Sequence, residues 1–392
     1  MKQSFAILIA LCAAPLFAQH DVIEEANSFI AQKKYESAYH LLHEADPENR
    51  NPELAIAKTE LFLDYYVTSI MHQLFALKDL EPGEDISEIR GSNGSFAMFT
   101  FAPDSVLTRL IEKHPENHAL RKALGYFYHE VHLKYPQTWL EPDSVVIDRF
   151  LEHYSIAYDH DVYDHWSAYG IGYGYLMNQD FASAIPYLKR STELKQDYPT
   201  SHYNLAYAYL YTDQRDKGIE SAKIAMELYD LPNLKADAAR MIGVIYRELG
   251  DQENALDYYR QAHVLQSNDY YTLKPLLDLE LSLNKESYPE RTEEFFLIAP
   301  GNPTIYQDLM TIYWINDKPD ELLRFLSSQH DTYQADPKVN GNLYFYEAVI
   351  QFDKQDFKVA RASFEKSRKI FSEVYEPDHR VFEVIDSYTS EL

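Results

Sequence analysis

The sequence predicts an all-α protein assembled from helix-turn-helix repeats. Three observations carry this reading. A pattern of small, aromatic, small and small residues recurs at fixed spacing, polar turn clusters separate the paired segments, and Gly and Pro number only 12 and 18 in 392 residues. So few are incompatible with a collagen-like or linker-dominated chain, and too few turns are signalled for a β-sandwich.

From the N-terminus, residues 1–18 combine Lys2, an apolar run from Phe5 to Ala14 and a stretch ending Leu16-Phe17-Ala18. That is the layout of a secretory signal peptide cleaved near Ala18. The run is well short of the roughly 20 apolar residues needed to span a bilayer. Lipoprotein anchoring at Cys12 is disfavoured, because Leu11 stands where a small residue is expected. Cleavage leaves a mature chain with no Cys, so disulfide and thiol chemistry are excluded. No later segment is apolar for long enough to cross a membrane, and the expected location is periplasmic or secreted.

Residues 19–79 read as N-terminal helices of the repeat type, with a first copy at 19–52 carrying Ala26, Phe29, Ala38 and Ala45. Apolar periodicity places further helices at about 52–79, 104–114, 117–134 and 143–158, with Asp104 and Asp143 as N-caps. Residues 104–164 are thus degenerate helical repeats. Between them, 80–103 holds Pro82, Gly83, Gly91 and Asn93-Gly94 ahead of Phe96, Met98, Phe99 and Phe101, an irregular insert or hairpin.

Residues 165–392 form the regular array. Gly172, Tyr175, Ala184 and Ser191 recur as Ala206, Tyr209, Gly218 and Ala225, then as Gly243, Tyr246, Ala255 and Ala262. Ala348, Ala360 and Ser367 keep the small positions with Gln351 in the aromatic place. Small side chains let two helix axes approach, and the aromatic fills the gap beside them. Turn signals fall at Asn178-Gln179-Asp180, Thr212-Asp213-Gln214, Gly250-Asp251 and Lys354-Gln355-Asp356, and Pro199, Pro232, Pro303 and Pro337 separate units. The copies span 165–198, 199–232, 236–269 and 341–374. Weaker copies at 270–303 and 303–336 offer Phe296, Ala299 and Pro300, then bulky Leu309, Tyr313 and Leu322, for which looser packing is expected.

These residues resemble the tetratricopeptide repeat (TPR) family. The resemblance implies 34-residue units stacked in a right-handed superhelical solenoid, with ligands bound on the inner, concave surface. On the face assigned to that surface lie Trp166, Tyr169, Tyr173 and Met177, spaced three to four apart, and one unit later Tyr203, Tyr207 and Tyr211. In the next unit the face turns charged, with Asp237, Arg240, Arg247 and Glu248. Tyr offers a broad apolar ring and a polar tip at low entropic cost, which suits recognition. The expected partner contacts are therefore Trp166, Tyr169, Tyr173, Met177, Tyr203, Tyr207, Tyr211 and Arg240.

Charge and motifs exclude other classes. With 36 Lys plus Arg against 62 Asp plus Glu, a net charge of −26 opposes nucleic-acid and anionic-membrane binding. It also opposes the clamp with which some family members hold an acidic peptide terminus, for which Asn204 stands alone. Seven of the 15 His lie between His114 and His165, yet His129-Glu130-Val131-His132 spaces its histidines by three, not the four a zinc-protease helix requires. Gly170, Gly172 and Gly174 sit inside a predicted helix, so they do not form a phosphate cradle. They leave that helix either soft or open to a closely approaching neighbour. No Gly-x-Ser-x-Gly elbow exists. No catalytic, metal or cofactor residue is assigned. The resulting expectation is an exported, non-enzymatic scaffold for protein-protein interaction. The alternatives are a glycan-binding protein using the same aromatics and, third, a metal-dependent enzyme built on 114–165.

Overall fold

The computed structural model describes residues 21–391 except Asn93 and Ser95; the expected signal peptide, Cys12 and Asn93 of the Asn-Gly pair lie outside the described residues. The chain divides into two compact units, one running to Lys217 and the other from Gly218 on. No described helix is long and apolar enough to cross a membrane.

The first unit begins with α1 (helical over 21–31), α2 (Tyr35–Ala45) and α3 (Pro52–Tyr65). Asn51 caps α3 by accepting from the Glu53 and Leu54 amides at 2.9 and 3.1 Å, with Pro52 in the first turn. The helix expected over 52–79 stops at Tyr65. Beyond it, Val67, Thr68 and Ile70 favour extended backbone, and Phe75 is drawn onto Phe62 with ring centroids 4.6 Å apart. The result is a small antiparallel sheet of β1 (Thr68–Ile70), β2 (Leu74–Ala76) and β3 (Met98–Thr100) in the order β1-β2-β3, pairing Ser69 with Phe75 and Phe75 with Phe99. The tight turn falls at Met71 and His72, both at positive φ, rather than at Asn93-Gly94. A short α4 (Ile86–Ile89) lies in the connection to β3.

Next come α5 (Pro103–Lys113), α6 (His118–Lys134), α7 (Asp143–Asp159), α8 (His165–Met177), α9 (Phe181–Leu194) and α10 (Pro199–Tyr211), each packed on the next. Alternate helices also touch, α6 with α8 and α8 with α10, as stacked hairpins require. Asp104 and Asp143 are not N-caps. Ala102 and Pro142 hold those positions, and Asp143 instead accepts from His132. Helix α11 (Arg215–Leu228) straddles the unit boundary.

The second unit contains α12 (Pro232–Glu248), α13 (Gln252–Leu265), α14 (Tyr270–Ser282), α15 (Tyr288–Leu297), α16 (Pro303–Ile315), α17 (Pro319–Ser328), the short α18 (His330–Tyr333), α19 (Pro337–Asp353), α20 (Phe357–Phe371) and α21 (Arg380–Ser390). The two weak copies are not loosely packed. Leu309, Tyr313 and Leu322 are all buried in one cluster with Phe295, Phe296, Tyr306 and Tyr346, so larger side chains replace the close approach of backbones.

The hairpins share a turn. Lys33, Asp161, Gln179, Asp213, Gly250, Asn284, Asp317 and Gln355 all adopt positive φ. In each case the following amide bonds a carbonyl five residues back, as Asp180 does to Tyr175, Asp251 to Tyr246 and Lys318 to Tyr313, each at 2.9 Å. This is the Schellman closure, and only one of these positions needs Gly to make it. The small positions also recur in chemistry. Ser191 bonds the His165 carbonyl at 2.8 Å and Ser367 the Gly341 carbonyl at 2.9 Å, in both cases tying a second helix to the start of its own first. Ala45 departs from the lattice: it is exposed at the end of α2, where Leu42 turns inward instead.

Candidate partner-binding site

Helix α8 is fixed at its start by a capping box between Asp164 and Ser167. Its three glycines each admit a different neighbour. A Cβ on Gly170 would meet the Tyr154 ring at 2.6 Å, one on Gly172 the Leu188 side chain at 2.5 Å and one on Gly174 the Phe150 ring at 2.9 Å. Glycine here is thus a packing device that wedges α8 between α7 and α9, and the phosphate-cradle reading stays excluded.

The adjoining stripe of α8 forms an aromatic ladder. Trp166 stacks on Tyr169 at 5.4 Å and Tyr169 on Tyr173 at 5.8 Å, while His129 of α6 lies 5.1 Å from Trp166 and 5.8 Å from Tyr173. The ladder is buried at its centre, with Trp166 and Tyr173 half-buried on either side. Tyr169 is 6 % exposed and accepts a hydrogen bond from Asn204 at 3.1 Å. Tyr173 contacts His132 Nε2 at 3.0 Å, and His132 Nδ1 lies 2.7 Å from Asp143. In the neutral ring Nδ1 donates to the carboxylate and Nε2 accepts from the phenol, so the relay fixes Tyr173 in place. His129 is fully buried, and desolvation, with His132 nearby, holds its pKa down at about 3, so the ring is neutral.

One repeat later the same residue type behaves differently. Tyr203 and Tyr207 are half-buried, and Tyr211 is 55 % exposed. Tyr211 stacks on Phe181 of α9 at 4.5 Å and lies 4.8 Å from Tyr207. Met177, at the end of α8, is also exposed. Arg240 belongs to the second unit, where it pairs with Asp237 and with Asp269 at 3.4 Å and lies over the Tyr271 ring.

Trp166 also borders a cavity of about 460 Å³ whose walls come from α3, α6, α7 and the start of α8. Glu60 and Asp64 line it from α3, Lys122, Tyr126 and Glu130 from α6, Tyr154 from α7 and Asp164 from the α8 cap. Glu60 and Asp64 are exposed at the mouth, and partial desolvation there, ahead of other influences, raises both carboxyls. Glu130, 9 % exposed, is raised chiefly by burial, and Lys134 and Arg90 offset this in part. Burial is the largest single influence on Asp164 and raises it, but Lys122 Nζ at 2.8 Å together with the hydrogen bonds from Ser167 outweighs it and leaves that carboxyl below its ordinary value. Tyr126 donates to Asp64. The Tyr154 hydroxyl and the Trp166 indole N–H are buried without a hydrogen-bond partner.

The sequence pattern singled out Trp166 for this region but none of the carboxylates. The available signal was a stripe of Lys122, Tyr126 and Glu130 four residues apart on α6, with Glu60 and Asp64 equally spaced amid the apolar Leu61-Phe62-Leu63 of α3. The histidines of 114–165 do not converge. His118 stacks on His160 at 3.6 Å, His153 faces Arg121 at 3.2 Å, and among the described residues no three His, Cys, Asp or Glu are grouped so as to hold a metal ion.

No curated protein matches the chain. Among solved structures, a tetratricopeptide repeat protein from Parabacteroides merdae ATCC 43184 is 14 % identical, covering 72 % of this chain and 97 % of its own, with a TM-score of 0.40. MamA from Desulfovibrio magneticus RS-1 is 13 % identical over 45 % of this chain and 93 % of its own, TM-score 0.37. YrrB, titled a TPR protein with an unusual peptide-binding site, is 15 % identical over 62 % of this chain and 100 % of its own, TM-score 0.34. The family profile of the tetratricopeptide repeat matches residues 236–263, which are α12 and most of α13, the same helix-turn-helix unit that recurs in both halves of the chain. Residues 236–263 therefore match a tetratricopeptide repeat, one unit within a chain built of helix hairpins.

Proposed function

We propose that the protein is an exported, non-enzymatic scaffold that binds a segment of a partner protein, acting in the periplasm or outside the cell after removal of residues 1–18. The observation that carries the reading is the cluster of Phe181, Tyr207 and Tyr211. The three rings pack together there, and Tyr211 remains open to water. Such patches mark interaction surfaces, and Tyr is enriched at the centre of binding sites. The partly buried ladder from Trp166 to Tyr173 supports that surface from beneath, so the contact region is narrower than the full set of eight residues.

The test is a photo-crosslinking residue placed at Tyr211 in the native host, with Val264, 84 % exposed in the second unit, as the control position. A discrete protein adduct formed at 211 and absent at 264 is the expected result. Absence of any protein adduct at 211, together with saturable binding of an oligosaccharide, replaces the partner protein by a glycan.

A further inference from the structure

We propose that the cavity bordered by Glu60, Asp64, Glu130 and Tyr154 receives the side chain of a lysine or arginine carried by the bound protein segment. This rests on the reading that the partner is a protein.

The wall carries more negative charge than the fold itself satisfies. Lys122 is committed to Asp164, and Arg90 donates to the main-chain carbonyls of Asp64 and Tyr66 rather than to a carboxylate. Among the described residues no ion pair involves Glu60, Asp64 or Glu130. Nearby Lys122, Lys134 and Arg90 offset these carboxylates only in part, and a cation entering the cavity beside the buried Glu130 would complete the compensation. The desolvation that raises these three carboxyls would be offset by such a cation.

A second, independent observation points to an occupant. Tyr154 is 1 % exposed, and its ring is clasped between Gly125 and Gly170, either of which would place a Cβ 2.6 Å from it. Its hydroxyl, in the field of Asp164 and Glu130 on the cavity wall, has no partner. Nor does the Trp166 indole N–H, which can only donate. A ligand bringing positive charge and at least one acceptor would answer both features. A basic residue within a peptide has both, the cation at its tip and the carbonyl in its backbone, whereas a simple diamine lacks the acceptor. The half-buried rings of Trp166 and Tyr126 on the same wall add a favourable surface for a cation. A volume of about 460 Å³ lies within the common range of ligand sites, about 300–1,000 Å³. A chelated metal ion fits less well, because these carboxylates do not form a metal-holding group.

The experiment titrates the full mature chain with a capped pentapeptide bearing one central lysine between glycine and serine residues, read by calorimetry and Trp fluorescence. Saturable binding is expected, retained when arginine replaces lysine and weakened at least tenfold when norleucine does. Glu130→Gln and, separately, Glu60→Gln should each weaken it by a similar factor, with unfolding curves confirming that both variants are folded. Equal binding of the norleucine peptide, full binding by both variants, or cadaverine binding as tightly as the peptide would each overturn the proposal. A persisting Tyr211 crosslink with no lysine dependence removes only the cavity assignment, while loss of both removes the protein-partner reading itself.

Discussion

The aromatic stripes of α8 and α10 have nearly the same chemistry and the same helical spacing, yet the fold uses them for different ends. Trp166, Tyr169 and Tyr173 meet His129 and His132 across the contact between α6 and α8, so Tyr169 is buried, Trp166 and Tyr173 are half-buried, and the two phenols are committed to Asn204 and His132. Tyr207 and Tyr211 lean on Phe181 of the neighbouring helix and keep a face in water. The difference teaches that position within a repeat decides where a side chain points, while the residues offered by the adjoining helix decide whether it is structure or surface. Histidine on α6 closes the first stripe. The second leans on Phe181 and stays open at Tyr211.

The largest expected effect follows from breaking the first stripe. Tyr169→Ala removes a ring that is 6 % exposed, from between Trp166 and Tyr173, and leaves Asn204 without its acceptor. Deleting a buried aromatic and opening a cavity costs about 3 kcal/mol or more. Chemical denaturation of the wild type and the variant measures it; a loss under about 1 kcal/mol would mean the ladder is not the packed element described.

The ladder's partner His129 gives the next effect, on acid stability. Above pH 6.5 the ring is neutral in both folded and unfolded chains. As pH falls from 6.5 toward about 3, the unfolded chain takes up a proton that the buried ring refuses, so stability drops across that window. His72 and His153, each held at about 4 chiefly by burial, act in the same direction. The carboxyls of Glu60, Asp64 and Glu130 act oppositely. Raised in the fold, they stabilise it at low pH, and that contribution fades as pH rises through their folded values. Thermal unfolding of His129→Phe between pH 7 and pH 4 should therefore show a shallower loss than the wild type. An unchanged slope would mean that His129 titrates normally.

These same elements show where the sequence was legible. Ala184, Ala206, Ala255, Ala348 and Ala360 are fully buried as their spacing demands, because a small residue at a helix crossing has no other use. Segment 66–77 was misread because its apolar residues fit a helical period as well as an alternating one, and the extended preference of Val67, Thr68 and Ile70 decided the matter. The cavity was hidden for a different reason. Its wall gathers Glu60, Glu130, Tyr154 and Asp164 from four elements of the degenerate region, where no repeat aligns them and each residue alone reads as an ordinary surface or packing choice.

The smallest stability effect sharpens the comparison from the other side. Tyr211→Ala removes a ring that is 55 % exposed, stacked on Phe181 alone among the close rings of α9. Substitutions at exposed positions away from caps and buried networks usually fall within about 0.5 kcal/mol, and the other contacts of α10 are untouched. Stability should hardly move. If Tyr211 belongs to the partner surface, however, truncating it removes a central aromatic anchor, and such anchors typically cost a binding reaction 2 kcal/mol or more, roughly thirtyfold in affinity. Once the crosslinked partner is identified, its affinity for Tyr169→Ala and Tyr211→Ala separates the two stripes. Weakening by Tyr211→Ala at unchanged stability assigns the open stripe to recognition. Weakening only in proportion to lost stability, and only in Tyr169→Ala, would return both stripes to packing.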